Sequence, residues 1–532
     1  MVREATGSCI LQVGFGIELY AKRRIMMKAI MVMFDSLNRA LLQSYGCDWT
    51  RTPNFLRLAE RSAQFENCYV GSLPCMPARR ELHTGRPNFL HRSWGPMEPF
   101  DDSMPEILKN AGICSHLVSD HQHYWEDGGG TYHTRYTSWE GVRGQEGDPW
   151  KERLCDEPDR RSVFAGKKKI WDIPLFKAMN THDQTNRKYM DCEEKTPQAQ
   201  TFACGLEFID TNHEADNWFL QIECFDPHEP FFCDEKYKQH FDGPLHGEDA
   251  LGADWPPYLP VQESDEVVQT VRNAYAALLE KCDASLGKVL DRMDQYQMWD
   301  DTMLIVCTDH GFLLGEHGWW GKAAMPCYNE IAHTPMYVWD PRFDCTGKKY
   351  NQFVQMMDLA PTILEYFGQP IPKDMMGKPI RRILENNESL RDYVVFGFHG
   401  REIIVNDGKY LYMCAPEHAD DPYYEYTLMP THMRARFSCE ELKDWTVAEP
   451  FSFTKGLKTI RCRCTGSTVG NATGKTPSRL FNLEKDPGQL HEIENPEVVK
   501  HMKELIRQYM VETDAPKELY HRYGIAPVKT EV

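Results

Sequence analysis

Short apolar runs recur along the chain, and each ends at acidic or histidine side chains. The runs and the side chains that follow them are 28–34 with Asp35, 113–118 with Asp120, His121 and His123, 218–225 with Asp226 and His228, and 303–308 with Asp309 and His310. Near-continuous apolar runs of this length are typical of strands buried on both faces, as in a mostly parallel sheet. In open α/β sheets the ligand site lies beyond the carboxyl ends of the strands. The pattern therefore predicts one site at which these polar clusters converge.

Helical periodicity occupies much of the chain between these runs. Residues 52–65 and 266–293 both repeat apolar side chains at helical spacing. Residues 125–160 are rich in tryptophan, glycine and charge without clear periodicity, which predicts a long loop over the site. Residues 27–390 are therefore predicted to form an α/β domain, with a large, mostly parallel mixed sheet sandwiched by helices.

The pattern changes after about residue 390. Three short apolar segments separated by turn residues predict antiparallel strands, and a helical tail follows at 497–512; the segments are 393–398, 401–405 and 409–413. We therefore expect a smaller C-terminal α+β unit over 391–532. Residues 1–26 precede the first predicted strand and are expected to be an N-terminal extension.

Charge and cysteine usage narrow the class of protein. A formal net charge of -19 argues against a nucleic-acid binder, which would carry a basic face. No apolar run reaches the roughly 20 residues that a membrane helix needs.

The 18 cysteines are scattered, and no Cys-x-x-Cys metal pair occurs, since Cys462 and Cys464 are separated by one residue. Residues 9–20 are mildly apolar, but their basic residues follow rather than precede them, unlike a signal peptide. We therefore expect a cytoplasmic protein with reduced thiols.

The segment Cys75-Met76-Pro77-Ala78-Arg79 carries a sharp local signal. It follows a loop and begins a helical stretch that ends at Gly85. The thiol of Cys75 is therefore predicted at a helix N-terminus, where backbone N–H groups favour negative charge. Arg79 lies one turn on and can face the same anion. A buried structural cysteine ahead of a helix fits this segment equally well.

The polar clusters at the strand ends add the side chains of a metal and anion site. Asp35, Asp309 and His310 supply hard oxygen ligands and an imidazole, which suit a divalent cation. His317 and Lys322 follow in a short glycine-rich segment close to this predicted metal site. His228 is a further candidate, in the segment Asp226-Pro227-His228-Glu229-Pro230.

These motifs, in this order, resemble those of the type I sulfatases, which belong to the alkaline phosphatase superfamily. The resemblance covers residues 28 to 490, and its matching segments are Cys75-x-Pro77-x-Arg79, Asp35-Ser36-Leu37-Asn38, Pro227-His228-Glu229-Pro230, Thr308-Asp309-His310-Gly311, Gly315-Glu316-His317-Gly318 with Lys322, and Leu480 to Gly488. It implies an alkaline phosphatase-like fold and an arylsulfatase-like sulfuric ester hydrolase. It also implies one divalent metal ion, Ca²⁺ or Mn²⁺, and conversion of Cys75 to formylglycine by a maturation enzyme.

The sequence departs from the family pattern at three places. Ser36 stands where many members have a second aspartate, which would shift the ion from calcium towards manganese. Asn38 stands where related sequences often have arginine. Asp120-His121-Gln122-His123 occupies the stretch of the family's Gly-Lys-x-His segment. This resembles the branch that includes phosphonate monoester hydrolases, and His121 and His123 are then candidate substrate-binding residues.

The resemblance implies a mechanism in which formylglycine 75 is hydrated and one hydroxyl attacks sulfur. The implied metal ligands are residue 75, Asp35, Asp309 and His310, while Arg79, Lys322 and His228 would neutralise the anion. Either His228 or His317 would protonate the leaving alcohol. The expected partner is a small-molecule sulfate ester, with no nucleic acid or membrane partner, and a homo-oligomer is left open.

Three alternatives remain at this stage. The nearest is a phosphonate monoester or phosphodiester hydrolase that uses the same residues. The second is a metal-binding protein without turnover, in which Cys75 stays unmodified. The third is a thiol-based enzyme, which would need no metal.

Overall fold

The structure is a computed structural model that describes residues 27–154, 157–166, 173–464 and 476–527. The N-terminal extension expected at residues 1–26 lies outside the described residues. The strands are β1 Lys28–Phe34, β2 Ala63–Tyr69, β3 Ser72–Leu73, β4 Cys114–Ser119, β5 Ser138–Gly141, β6 Trp218–Cys224, β7 Thr302–Thr308, β8 Leu313–Leu314, β9 Trp320–Gly321, β10 His333–Trp339, β11 Lys349–Gln355, β12 Val394–Phe398, β13 Ile403–Asn406, β14 Tyr410–Cys414, β15 Tyr424–Thr427, β16 Thr446–Ala448, β17 Thr459–Arg463 and β18 Arg479–Asn482.

The α-helices alternate with the strands through most of the chain. They are α1 Pro53–Arg61, α2 Cys75–Thr84, α3 Met104–Asn110, α4 Gly130–His133, α5 Pro174–Arg187, α6 Pro197–Asn212, α7 Glu235–Lys238, α8 Asp265–Gln295, α9 Asn329–Ala332, α10 Leu359–Tyr366, α11 Arg381–Asn386, α12 Pro496–Glu512 and α13 Lys517–Arg522. No helix among the described residues combines the length and the apolar character that crossing a bilayer requires.

The main sheet has eight strands in the order β11-β2-β10-β7-β1-β6-β4-β5. Strand β1 lies in its interior and pairs in parallel with both β6 and β7. The pairs β4–β6, β4–β5 and β2–β11 are also parallel, while β10 is antiparallel to both of its neighbours. The predicted mostly parallel mixed sheet is thereby confirmed.

Helices cover both faces of this sheet because its central strands are apolar on both sides. Along β1, Ile30 and Val32 pack into a cluster with α1, α6 and α8, whereas Met31 and Met33 pack into another with α2, α3 and α10. Such burial on both faces explains why these strands read as continuous apolar runs instead of alternating ones. The sandwich predicted from the sequence is therefore confirmed.

A second sheet of five strands has the order β18-β14-β13-β12-β3. Four of its strands follow residue 390, but β3 comes from the segment just before Cys75 and pairs in parallel with β12. Strands β15, β17 and β16 form a separate antiparallel sheet. The proposed division at residue 390 stays a prediction, and the β3–β12 pairing crosses it.

The long loop predicted over residues 125–160 is wrong in part. This segment contains α4 and β5, and β5 extends the main sheet by pairing in parallel with β4. All four residues of β5 are exposed, so the strand gives no apolar alternation from which it could be recognised.

Candidate active site

The two central strands place two carboxylates side by side. In the register of β1 with β7, Phe34 lies opposite Thr308, so Asp35 and Asp309 leave adjacent strands at the same level. Cys75 begins α2 directly after the β3 segment. One ligand atom each from Asp35, Cys75, Asp309 and His310 lies within 4.8 Å of the others, and all four residues are buried. The ends of β1 and β7 and the start of α2 therefore meet in one cluster.

The side chain of Cys75 lies inside this cluster. Its Sγ is 3.3 Å from Nε2 of His310, and the residue is only 2% exposed. Burial and the nearby carboxylate of Asp35 raise the pKa of the Cys75 thiol well above its ordinary value. The thiolate is the reactive form, and a metal ion bound at Cys75 would itself lower this pKa. The thiol-enzyme alternative therefore stays a prediction.

Arg79 connects three buried acids one helical turn from Cys75. Its guanidinium lies 3.0 Å from Asp35, 2.6 Å from Asp309 and 2.7 Å from Glu223. Glu223 also accepts a hydrogen bond from Tyr124 at 2.9 Å. Glu223 was not among the predicted site residues, although it orients Arg79. The signal available in the sequence was an acid inside the mainly apolar run of β6.

The two strand-end carboxylates respond differently to their surroundings. Burial would raise the pKa of Asp35, but the charges of Lys322 and Arg79 hold it well below its ordinary value. Burial and the charge of Asp35 raise the pKa of Asp309 to about 7. Asp35 Oδ2 is buried and forms an ion pair with Arg79 but accepts no well-aligned hydrogen bond. Two acids with ligand atoms within 4.8 Å of each other fit a divalent cation between them.

His310 is prepared as a neutral ligand. Its Nδ1 lies 3.0 Å from the carbonyl oxygen of Gly311, so Nδ1 carries the proton and Nε2 faces Cys75 with its lone pair. Burial and the charge of Lys322 lower the pKa of His310 to about 3. A second ring nitrogen fixed on a backbone carbonyl is the usual arrangement of metal-binding histidines. The residues present therefore fit the implied metal ion.

Ser36 occupies the position of the family's second aspartate and takes part in the site. It has a positive φ of 61°, and its backbone N–H donates to Asp309 at 3.1 Å. Its hydroxyl donates to Asp35 at 2.8 Å and accepts from Lys322 at 2.8 Å. Burial disfavours the charge of Lys322, but Cys75 and Asp35 raise its pKa above the ordinary value. A hydroxyl here leaves the site with one negative charge fewer than an aspartate would.

Two further histidines line the same cluster. His121 Nε2 lies 3.6 Å from Oδ2 of Asp35 and has no hydrogen-bond partner. Nδ1 of His228 donates to the carbonyl oxygen of Glu229 at 2.6 Å. Burial and the charge of Arg79 lower the pKa of His121, and burial and Lys322 do the same for His228. Both rings are therefore neutral and buried next to the anion-binding cations.

His123 and His317 lie farther from the carboxylates. The ring of His123 is 4.9 Å from that of His121, and its Nδ1 lies 2.7 Å from Glu126. His317 stacks on Tyr328 at 3.7 Å between ring centroids, and its Nε2 lies 3.2 Å from Glu330. These contacts of His317 lie outside the cluster, so its role as a proton donor stays a prediction.

Asn38 braces the loop after β1 instead of contacting the cluster. Its side-chain amide donates to the carbonyl oxygen of Phe312 at 2.9 Å and accepts from the Ala40 N–H at 3.0 Å. Asn38 therefore does not supply the positive charge that arginine would carry at this position in related sequences.

The segment before Cys75 is held by Glu81, a buried acid of α2. Oε2 of Glu81 accepts from the backbone N–H of Ser72 at 2.7 Å. Gly71 leaves the space for this contact, because a Cβ there would lie 1.9 Å from Oε1 of Glu81. Burial raises the pKa of Glu81 to about 7.

This raised pKa predicts a pH-dependent contribution to stability. Between pH 4.5 and about 7 the unfolded chain loses the Glu81 proton while the folded chain keeps it, so stability falls as pH rises. We expect Glu81→Gln to remove this slope and to gain up to about 3 kcal/mol over wild type between pH 5 and 7.5. Urea unfolding at both pH values measures it, with the exposed Glu497→Gln as control. An equal slope in wild type and Glu81→Gln would contradict it.

Comparison with known proteins agrees with this geometry. The family described as Sulfatase matches residues 28–369. The choline-sulfatase of Rhizobium meliloti (strain 1021) is 24% identical over 424 residues, which cover 73% of this chain and 78% of that protein. A structure solved in complex with its substrate D-glucosamine-2-N,6-O-disulfate has a TM-score of 0.62 and 15% identity, covering 92% of this chain and 99% of that one.

A phosphonate monoester hydrolase of Agrobacterium radiobacter is also similar in structure. It has a TM-score of 0.61 at 18% identity and covers 92% of this chain and 95% of its own. At these identities the two solved structures show the fold alone, which confirms the alkaline phosphatase-like architecture. Because the family match spans more than half of the sequence, the chain belongs to the sulfatase family, whose members are sulfuric ester hydrolases.

Proposed function

We propose that this chain hydrolyses a sulfate ester with an oxygen nucleophile on residue 75, formed by conversion of Cys75 to formylglycine. The observation that carries the proposal is the position of Cys75, within one cluster with Asp35, Asp309 and His310. Arg79 and Lys322 border the same cluster and supply positive charge for a tetrahedral anion.

Asp35, Asp309 and His310 would hold the divalent cation, with residue 75 as a further ligand. When bound, the cation supplies Lewis-acid polarisation and lowers the pKa of an oxygen ligand. The proposal leaves Ca²⁺ and Mn²⁺ as candidates. The shift towards Mn²⁺ expected from Ser36 stays a prediction. The uncharged hydroxyl of Ser36 lowers the negative charge available to the ion.

The proposed reaction consumes one water per ester. Hydration of the residue 75 aldehyde gives two hydroxyl groups on one carbon, and one hydroxyl attacks sulfur while the alcohol leaves. Loss of the proton from the second hydroxyl then expels sulfate and restores the aldehyde. Arg79 and Lys322 stabilise the charge on the non-bridging oxygens, an effect worth several kcal/mol in comparable sites. The neutral ring of His228 can accept the nucleophile's proton and pass it to the leaving alcohol.

Hydrolysis of a phosphonate monoester or phosphodiester is the second candidate function. The similarity in fold to the Agrobacterium phosphonate monoester hydrolase supports it, as do the buried imidazoles of His121 and His123 beside the anion site. Sulfate monoesters and phosphonate monoesters both present a tetrahedral, singly charged anion, so the same cations could serve either. The leaving group and the relative rates on the two ester classes, and not the residues of the cluster, would therefore distinguish the two functions.

A substrate panel tests both candidates. Metal-replete protein with a measured formylglycine content is assayed on aryl sulfate, aryl phosphonate monoester and phosphodiester at equal leaving-group acidity. We expect kcat/KM to be highest on the sulfate, and chelation to abolish turnover until Ca²⁺ or Mn²⁺ is restored. A higher kcat/KM on the phosphonate would replace the first function by the second. Full activity with an intact Cys75 thiol by mass spectrometry would refute the formylglycine mechanism.

The natural ester, the maturation enzyme, the oligomeric state and the cytoplasmic location stay predictions. The relatives include sulfatases of a small quaternary alcohol and of sugars, so the identity of the alcohol needs the substrate panel.

A further inference from the structure

A second group of metal-binding side chain types lies outside the active site. His399 follows β12, Glu425 lies in β15 and Cys464 follows β17. One ligand atom from each of these residues lies within 4.8 Å of the others. His399 and Glu425 are buried, and Cys464 is half-buried. None of the three belongs to the cluster around Cys75, so the proposed sulfatase reaction does not account for them.

The ring of His399 is oriented as a ligand. Its Nδ1 lies 2.8 Å from the carbonyl oxygen of Phe89, so this nitrogen is the donor and Nε2 is left as an acceptor. Nε2 is buried and has no hydrogen-bond partner, in a residue that is 7% exposed. His310 in the active site shows the same arrangement with the carbonyl of Gly311. A histidine held in this way presents its free lone pair to a metal ion.

Glu425 has an unpartnered oxygen in the same group of residues. Oε2 accepts from Arg92 at 2.6 Å, while Oε1 is buried and has no hydrogen-bond partner. Nε2 of His399 and Oε1 of Glu425 are therefore two buried acceptors without partners, in residues whose ligand atoms lie within 4.8 Å of one another. A shared cation would satisfy both, and buried polar atoms otherwise need a partner.

The third ligand position comes from Cys464, which follows β17. The thiol of Cys464 interacts with the side chain of Tyr423. Cys462 lies opposite Glu425 in the β15–β17 pair, but its thiol is not among the grouped ligand atoms. An imidazole, a carboxylate and a thiol are all ligand types that Zn²⁺ accepts, and water can complete the set.

The spacing also suits one ion. Zinc bonds to nitrogen, oxygen and sulfur are about 2.0 to 2.3 Å long, so two of them end to end span up to about 4.6 Å. The three ligand atoms are grouped within 4.8 Å, close to this span.

We propose that His399, Glu425 and Cys464 form a Zn²⁺ site, with a water molecule as the fourth ligand. Binding would release the thiol proton of Cys464, since the thiolate is the ligand. The ion would join the end of β12 in the five-stranded sheet to β15 and the end of β17 in the three-stranded sheet. It would act on the stability of this part of the chain and not on the reaction at residue 75.

Metal analysis of variants tests the site. Full-length protein in a Cys75→Ala background, which removes the active-site thiol, is chelated and then loaded with Co²⁺ or Zn²⁺. We expect a near-ultraviolet thiolate-to-Co²⁺ absorption band, and its loss in Cys464→Ser. His399→Asn should bind one equivalent of Zn²⁺ fewer per chain, while the exposed Cys192→Ser is unchanged. Equal zinc content and an equal band in all these proteins would overturn the proposal.

Alkylation of the wild-type protein tests the site without relying on a variant that folds. The rate at which iodoacetamide labels the peptide bearing Cys464 is measured by mass spectrometry, with Zn²⁺ and with chelator. We expect Zn²⁺ to slow this labelling at least tenfold, and to leave labelling of the exposed Cys439 unchanged. Labelling of Cys464 at one rate in both conditions would refute zinc binding there.

Discussion

Replacing Cys75 by alanine is expected to abolish sulfate ester hydrolysis almost completely. Its Sγ lies 3.3 Å from Nε2 of His310 and in one cluster with the carboxylates of Asp35 and Asp309. Alanine would leave residue 75 without a side chain that could carry the nucleophile. Removing a nucleophile lowers kcat by about four to six orders of magnitude in comparable hydrolases. Steady-state kcat on an aryl sulfate, with metal present, measures the effect.

The control for this variant is Cys68→Ala. Cys68 is buried in β2 of the main sheet and is as inaccessible as Cys75. Its Sγ accepts a hydrogen bond from the hydroxyl of Thr334, and it has no part in the cluster. We expect Cys68→Ala to keep kcat within about threefold, because a small core truncation acts on stability and not on the site. If Cys75→Ala retained more than a tenth of the wild-type kcat, the nucleophile would have to be another group.

Replacing Arg79 by methionine is expected to lower both activity and stability. The guanidinium is fully buried and lies within 3.0 Å of Asp35, Asp309 and Glu223, so its loss leaves three buried acids without this counter-charge. Removing one partner of a buried ion pair destabilises by about 3–5 kcal/mol. The loss of an anion-stabilising donor lowers kcat by about 10² to 10³. Urea unfolding of metal-free protein and kcat of metal-loaded protein measure the two effects.

Arg57→Ala is the matched control for the stability effect. Arg57 also contacts two carboxylates, Asp291 at 2.8 Å and Asp294 at 2.5 Å, but all three side chains are exposed. Exposed pairs contribute about 0–1 kcal/mol each, so little change is expected. Equal destabilisation by the two substitutions would show that burial of Arg79 with its acids is not what stabilises this region.

The sequence predicted those parts of the fold that depend on burial of whole strands. Strands β1, β6 and β7 are buried on both faces and mainly apolar, so their runs were nearly continuous and their ends could be read from Asp35, Asp309 and the acid after β6. Strand β5 was missed because it is exposed along its length and carries no hydrophobic signal. The length and burial of a strand, more than its strand propensity, therefore distinguish the three predicted strands from β5.

The residues of the site were predictable where side-chain direction follows from regular structure. Arg79 is one turn after Cys75 in α2, so both side chains reach the same cluster. Glu223 was not predictable, because only the packing of α2 against β6 shows that this strand acid meets Arg79 at 2.7 Å. His317 has a positive φ of 54° and lies in a turn. The direction of its ring could therefore not be predicted from its position near Lys322 in the sequence.

The pairing of β3 with β12 has a consequence for how the gene could be divided. Gly397 and Phe398 pair with Ser72 and Leu73, the two residues before Pro74, so the five-stranded sheet supports the segment that leads into Cys75. A fragment ending at residue 390 would keep every candidate metal ligand of the active site but would lack this support. Catalysis would then require the remaining chain in trans, which would contact the fragment through this strand pair and through buried contacts such as that of Arg92 with Glu425.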